Sequence, residues 1–166
     1  GQQMSRATVH GLKSLQTEKR PFLLTRASYS GGQRYAAVWT GDNYAAWEHL
    51  QIANIQCVRL AVSGFSFSGT DIGGFAGECD GELYTRWLQL SVFHPLMRTH
   101  SMGSHASGDA AISEEAELLD PTKRDEQEPW SFGEKWTPVA RKAIELRYCL
   151  LGVLYTAFQK YVEDGT

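Results

Sequence analysis

Residues 19–43 read KRPFLLTRASYSGGQRYAAVWTGDN, and they contain two short apolar runs of the kind that form buried β-strands. The first run, residues 22–24, ends at Arg26, and the second, residues 35–39, ends at Asp42. A pair of glycines between the runs is typical of a turn. The stretch therefore predicts two strands, each followed closely by a charged side chain.

The rest of the chain repeats this pattern and places helices between the strands. Two further apolar runs, residues 65–69 and 93–97, end at Asp71 and His100. Asp80 is placed to cap the helix that follows it. Apolar residues spaced three or four positions apart predict helices over residues 4–16, 45–62, 82–92 and 137–162. Short strands that alternate with helices favour the α/β class with parallel strands.

The composition is that of a folded domain and excludes several functions. The 166 residues include 16 Lys and Arg against 19 Asp and Glu, a formal net charge of −3, so no basic surface for nucleic acid is expected. Hydrophobic residues make up 42% of the chain, and no apolar run is long enough to span a membrane. Three cysteines without CxxC spacing indicate neither a disulfide framework nor a zinc ribbon.

Four polar side chains follow the predicted strands at regular spacing: Arg26, Asp42, Asp71 and His100. Asp42 and Asp71 are 29 residues apart, as are Asp71 and His100, which is roughly one βα unit of about 30 residues. In a (β/α)₈ barrel such strand ends converge on one face, where carboxylates can serve acid and base catalysis. Asp42 is equally suited to cap the following helix, so the spacing alone predicts only a parallel βα domain of enzyme type.

Residues 19–43 closely resemble the catalytic barrel of glycoside hydrolase family 31, the α-glucosidase family. The resemblance continues along nearly the whole chain outside one loop, and several motifs in the right order are far more specific than any single one. These motifs are WEHL at 47–50, GTDIGGF at 69–75, ELYTRWLQL at 82–90, HPLMRTHS at 94–101, EPWSFGE at 128–134 and RKAIELRYCLL at 141–151.

The resemblance implies a role for each matched site residue. Asp42, in the segment WTGD, corresponds to the general acid/base of the family. The residues that correspond to the family's contacts with the bound sugar, or that support the acid/base, are Arg26, Trp39, Asp71, Phe75, Arg98 and His100. The chemistry of these side chains agrees with that reading, because a glucose presents hydroxyls that need both acceptors and donors and a ring face that packs on aromatic groups.

The resemblance also implies which part of the fold the chain represents. Residues 1–166 correspond to the C-terminal half of a (β/α)₈ TIM barrel, strands five to eight with their outer helices. Family members are retaining enzymes, and their nucleophile is an aspartate in a W-x-D-M-N-E segment on strand four, which this sequence lacks. We therefore expect the N-terminal half of the same enzyme as a partner and predict that this chain alone is inactive.

Residues 102–127 form a separate polar segment rich in Ser, Gly, Ala, Asp and Glu. They are predicted to be an insertion loop after strand eight, with a short helix at 114–119. The loop either shapes the sugar sites beyond the first glucose or is a solvated acidic loop without substrate contact. His94, His100 and His105 straddle a strand end and this loop, so no metal site is predicted, and no cofactor is expected.

The activity expected from the resemblance is exo-acting hydrolysis of terminal α-linked glucose from oligosaccharides. An α-transglucosidase or an α-xylosidase of the same family is an alternative on the same pocket. A non-catalytic carbohydrate-binding or structural fragment is a further alternative. The joint presence of Arg26, Asp42, Asp71 and His100 favours the enzyme, because a binding module has no need of an acid/base.

Overall fold

The computed structural model describes residues 1–15, 18–102 and 126–165. Helices and short strands alternate along these residues. In chain order the elements are α1 Gln2–Leu15, β1 Leu24–Thr25, a 3₁₀ turn at Gly32–Arg34, β2 Ala37–Val38, α2 Trp47–Val62, β3 Asp71–Ile72, α3 Gly81–Ser91, β4 Arg98–Thr99 and α4 Gly133–Asp164. The helices predicted over 4–16, 45–62, 82–92 and 137–162 are present, and α4 begins four residues earlier than the periodicity predicts. No helix within the described ranges is long and apolar enough to cross a membrane.

The strands are parallel and follow one another in space as they do in sequence. β1 pairs with β2, and β3 pairs with β4, with Asp71 directly opposite Arg98. Backbone hydrogen bonds join the two pairs, since the Val38 N–H donates to the Phe67 carbonyl at 3.3 Å and the Thr40 N–H donates to the Gly69 carbonyl at 3.1 Å. The prediction of parallel βα units in the α/β class is confirmed.

Two predicted strands are displaced along the chain. The apolar run 65–69 precedes β3, and the run 93–97 is a turn that precedes β4. In the second case Pro95 has no N–H for a strand ladder. Arg147 of α4 donates hydrogen bonds to the carbonyls of Val92, His94 and Pro95, so these carbonyls have a partner outside the sheet.

The core lies between α3, α4 and the second strand pair. Trp87 and Tyr84 of α3 are fully buried, and the Trp87 indole N–H donates to the Thr70 hydroxyl at 2.8 Å, so the ring is buried without an unpaired donor. Asp80 caps α3 as predicted, with its carboxylate accepting from the Leu83 N–H at 2.8 Å. This core includes Ile72 of β3, the strand that begins with Asp71.

Candidate active site

Arg26 and Asp42 meet just beyond β1 and β2. Nη1 of Arg26 lies 2.7 Å from Oδ2 of Asp42, and both side chains face solvent, with exposed fractions of 60% and 47%. The alternative in which Asp42 caps the next helix is wrong, because α2 begins at Trp47 and its N-cap residue, Ala46, makes no side-chain hydrogen bond. Asp42 is therefore a solvent-facing carboxylate oriented by a guanidinium.

Asp71 and Arg98 form the second ion pair, and this one is sheltered from water. They are directly opposite each other on β3 and β4, and Nη2 of Arg98 lies 2.5 Å from Oδ1 of Asp71. The Asp71 side chain is only 1% exposed. Burial raises the pKa of Asp71 above its usual value, and the hydrogen bond and charge of Arg98 act to lower it.

Trp39 lies beside the second ion pair. Cζ of Arg98 is 5.1 Å from the centroid of the Trp39 ring, a cation–π contact. Three buried polar atoms around this contact have no hydrogen-bond partner among the described residues: Oδ2 of Asp71, Nε1 of Trp39 and Nε of Arg98. Buried atoms of this kind are costly to leave unpaired, and the cluster holds one such acceptor and two such donors.

Phe75 and His100 form a third group. Their ring centroids are 5.2 Å apart, with an angle of 31° between the ring planes. The charge of His100 lowers the pKa of Asp71 and that of Asp42 raises it, so both groups lie within electrostatic range of the buried carboxylate. All seven predicted site residues thus fall into three small groups around Asp71.

Two contributors to this region carried no signal in the sequence. Asn43 is buried, and its side chain bonds to the backbone of residues 71 and 75, yet it stands at a position that reads as the start of a helix. Gln127 is also buried and bonds to the backbone of residues 72 and 74, although it was expected at the end of a polar loop. The only sequence feature that points to Asn43 is its position next to Asp42, and no sequence feature points to Gln127.

Two of the sequence predictions concern residues 103–125 and the histidines near them. Residues 103–125, with the short helix predicted at 114–119 and with His105, lie outside the described residues. Among the residues that are described, no group of three or more His, Cys, Asp and Glu side chains is arranged to hold a metal ion.

Carboxylates and cations that gather at the ends of successive parallel strands are the arrangement of a barrel enzyme. Residues 1–157 match the family model described as the glycosyl hydrolases family 31 TIM-barrel domain. The chain belongs to glycosyl hydrolase family 31.

Similar proteins agree with this assignment. The chain is 48% identical over 165 residues to alpha-glucosidase 2 of Bacillus thermoamyloliquefaciens, a match that covers 99% of this chain and 19% of that protein. It is 42% identical over 146 residues to neutral alpha-glucosidase AB of Dictyostelium discoideum, covering 88% of this chain and 14% of the relative. The chain thus spans less than a fifth of the length of these relatives.

Solved structures show the same likeness. The glucosidase II alpha subunit in its alpha3-Glc2-bound form superposes with a TM-score of 0.84 at 36% identity, covering 100% of this chain and 16% of that one. The family 31 alpha-glucosidase from Bacteroides thetaiotaomicron gives a TM-score of 0.76 at 38% identity, covering 92% of this chain and 23% of that one. The fold of this chain is therefore that of one portion of a larger glycosidase.

Proposed function

We propose that this chain is the C-terminal half, strands five to eight, of the catalytic barrel of an exo-acting retaining α-glucosidase. The observation that carries the proposal is the pair of carboxylates in contrasting surroundings, Asp42 open to solvent beside Arg26 and Asp71 buried beside Arg98. Membership of family 31 and the α-glucosidase names of the relatives support the same reading. The substrate is then an oligosaccharide that ends in α-linked glucose.

Asp42 is the general acid/base in this proposal. Its position on the open side of the site lets a protonated carboxyl reach the leaving oxygen and later lets the carboxylate activate water. The Arg26 guanidinium at 2.7 Å holds one carboxylate oxygen and so sets the direction of the other. A carboxylate that faced the protein interior could not serve both steps, because the leaving group and the water must reach it.

Asp71 binds sugar hydroxyls and is not the nucleophile. A retaining enzyme needs a second carboxylate that attacks the anomeric carbon, at about 5–5.5 Å from the first. Asp71 is not assigned this role, because its Oδ1 is engaged by Arg98 and it corresponds to the family's sugar-contacting aspartate. We propose that the nucleophile comes from a preceding half barrel outside this chain.

The glucose pocket is built from the atoms that lack partners. Oδ2 of Asp71 can accept from one hydroxyl, while Nε1 of Trp39 and Nε of Arg98 can donate to others. The neighbouring rings of Phe75 and His100 and the ring of Trp39 provide apolar faces on which a sugar ring can pack. A sugar without the matching hydroxyl leaves one of these buried atoms unpaired, and such a site discriminates strongly between sugars.

The experiment that tests this function compares the complete gene product containing this segment with the isolated 166-residue chain. With an aryl α-glucoside as substrate, we expect turnover by the complete protein and none by the isolated chain. The product anomer, followed by proton NMR, is expected to be α-glucose before mutarotation. Absence of turnover by the complete protein contradicts the function, and turnover by the isolated chain contradicts its assignment as half of a site.

The same assay separates the alternative activities. Trisaccharides that accumulate when maltose is added as an acceptor would identify a transglucosidase, because transfer of one glucosyl unit to maltose gives a trisaccharide. A preference for the aryl α-xyloside would identify an α-xylosidase. In both outcomes Asp42 and Asp71 would keep their proposed roles. The transglucosidase would differ in its acceptor, and the α-xylosidase in the sugar that it binds.

A further inference from the structure

The loop that follows β3 carries two site residues through a backbone that glycine makes possible. This loop, residues 71–76, begins with Asp71 and contains Phe75, and is called the sugar-binding turn below. Gly73 and Gly74 have φ angles of +87° and +94°, in the left-handed region that favours glycine. Two consecutive residues of this type leave the local chain with many conformations, so the shape of the turn must be fixed by contacts from outside it.

Asn43 provides the first of these contacts. Its Nδ2 donates to the Asp71 carbonyl at 3.0 Å, and its Oδ1 accepts from the Phe75 N–H at 3.0 Å. Its own backbone carbonyl accepts from the Phe75 N–H at 2.8 Å and the Ala76 N–H at 3.1 Å. One buried amide therefore connects the two ends of the sugar-binding turn.

Gln127, which follows the turn in the chain whereas Asn43 precedes it, provides the second contact. Its Nε2 donates to the Ile72 carbonyl at 2.8 Å and the Gly74 carbonyl at 2.9 Å, and the residue is 8% exposed. It therefore holds the middle of the turn, where the two glycines lie. These carbonyls would need another partner without it, since buried backbone groups are almost always hydrogen-bonded.

We propose that Asn43 and Gln127 are positioning residues that set the geometry of Asp71 and Phe75 for glucose, and that they act on sugar binding without acting on proton transfer. The inference rests on the proposed α-glucosidase function. These separate effects follow from the contacts, because Asp42 is held by Arg26, whereas among the described residues both side-chain amides bond to the backbone of the sugar-binding turn. Asn43 is adjacent to Asp42 in the chain, yet its side chain points to the neighbouring loop.

The test uses the complete gene product with near-isosteric variants at both positions, Asn43→Asp and Gln127→Glu, backed by Asn43→Ala and Gln127→Met. Each carboxylate variant removes an N–H donor from a backbone carbonyl and changes side-chain volume little. The matched controls are Asn54→Asp and Gln51→Glu, which make the same changes on the exposed face of α2. The probes are D-glucose as a competitive inhibitor and two α-glucosides, one with a good aryl leaving group and one with a sugar leaving group.

We expect the inhibition constant for glucose and the KM to rise about tenfold or more in the variants at 43 and 127, because small displacements of positioning groups have large effects. The ratio of kcat/KM between the two substrates should stay within twofold of the wild type, because the acid/base is not displaced. Both controls should leave every value unchanged. Thermal unfolding of each protein establishes that folded enzyme is being compared.

Three results would overturn the inference. The first is a wild-type inhibition constant in folded variants at both positions. The second is a shift of the leaving-group ratio as large as the shift of that constant. The third is the same loss in the controls. If Asn43→Asp or Gln127→Glu yields no folded protein, the alanine and methionine variants give the same readings. Failure of the proposed function is recognised separately, since the unsubstituted protein would then show no glucosidase activity.

Discussion

Arg98 and Asp71 are opposite each other in the register of two parallel strands, and their side chains close an ion pair of 2.5 Å across that register. The same guanidinium lies 5.1 Å from the Trp39 ring, at the end of a third strand. One arginine therefore joins three strand ends. It also fixes which oxygen of Asp71 stays available, because Oδ1 is taken and Oδ2 is not.

Replacing this arginine should weaken sugar binding and move its pH dependence. In Arg98→Met, Asp71 stays buried without its partner, and we expect the inhibition constant for glucose to rise about tenfold or more and the thermal midpoint of the complete enzyme to fall. Arg98 lowers the pKa of Asp71 against the effect of burial, so its removal raises that pKa further. The acidic limit of glucose affinity should therefore move to higher pH. Arg86→Met, at an exposed pair of 3.9 Å, is the control that should change neither property.

Replacing Asp42, the proposed acid/base, should have a different signature. Asp42→Asn keeps the shape of the side chain and removes its ability to exchange a proton, so kcat/KM for a sugar leaving group should fall about 10²- to 10⁴-fold. The loss should be much smaller for a good aryl leaving group, which needs little protonation. Asp80→Asn is the comparison, because an asparagine also caps a helix and should leave activity intact. An equal loss on both substrates would contradict the assigned role.

A methyl group at Gly74 should disturb the sugar-binding turn. Its φ of +94° is unfavourable for alanine, and a Cβ there would lie 2.3 Å from the backbone nitrogen of Ala45. We expect Gly74→Ala to lower the stability of the complete enzyme by more than about 1 kcal/mol and to weaken glucose binding. Gly152→Ala, in α4 with no atom within 4 Å of the added carbon, should stabilise the protein by about 0.5–1 kcal/mol. Similar thermal midpoints for the two variants would show that the turn accommodates a side chain.

His94 should make the fold sensitive to acid. It is buried, neither ring nitrogen has a hydrogen-bond partner among the described residues, and burial and the charge of Arg147 lower its pKa. A lowered pKa in the folded state gives stability that is present above the unfolded value, about 6.5, and is lost as pH falls through the folded value. In His94→Leu the thermal midpoint should therefore fall less on acidification than in the wild type. His10→Leu, on the exposed face of α1, should follow the wild type.

The sequence predicted the class of fold and the residues at the strand ends because both depend on local pattern. Short apolar runs separated by helical periods indicate βα units, and the spacing of Asp42 and Asp71 follows from that repeat. Trp39 and Arg98 could be named only through the family resemblance, since their contact crosses two strands. Asn43 and Gln127 were missed because hydrogen bonds from a side-chain amide to distant backbone do not follow from the spacing of apolar residues in the sequence. The start of β4 was predicted too early because the run 93–97 contains Pro95 and because its carbonyls bond to Arg147 of α4, a distant contact that the local pattern does not show.

Arg147 bonds through its guanidinium to three carbonyls that lie 52 to 55 positions earlier in the chain. The strand that carries Arg98 begins three residues after the last of these carbonyls, so a contact that holds the segment before the strand comes from outside the strand and its loop. Exchange of a βα unit between two family members would separate that segment from the arginine that bonds to it. Recombination that preserves the proposed glucose pocket should therefore transfer residues 91–147 as one block, and crossovers inside that block should cost activity even between close relatives.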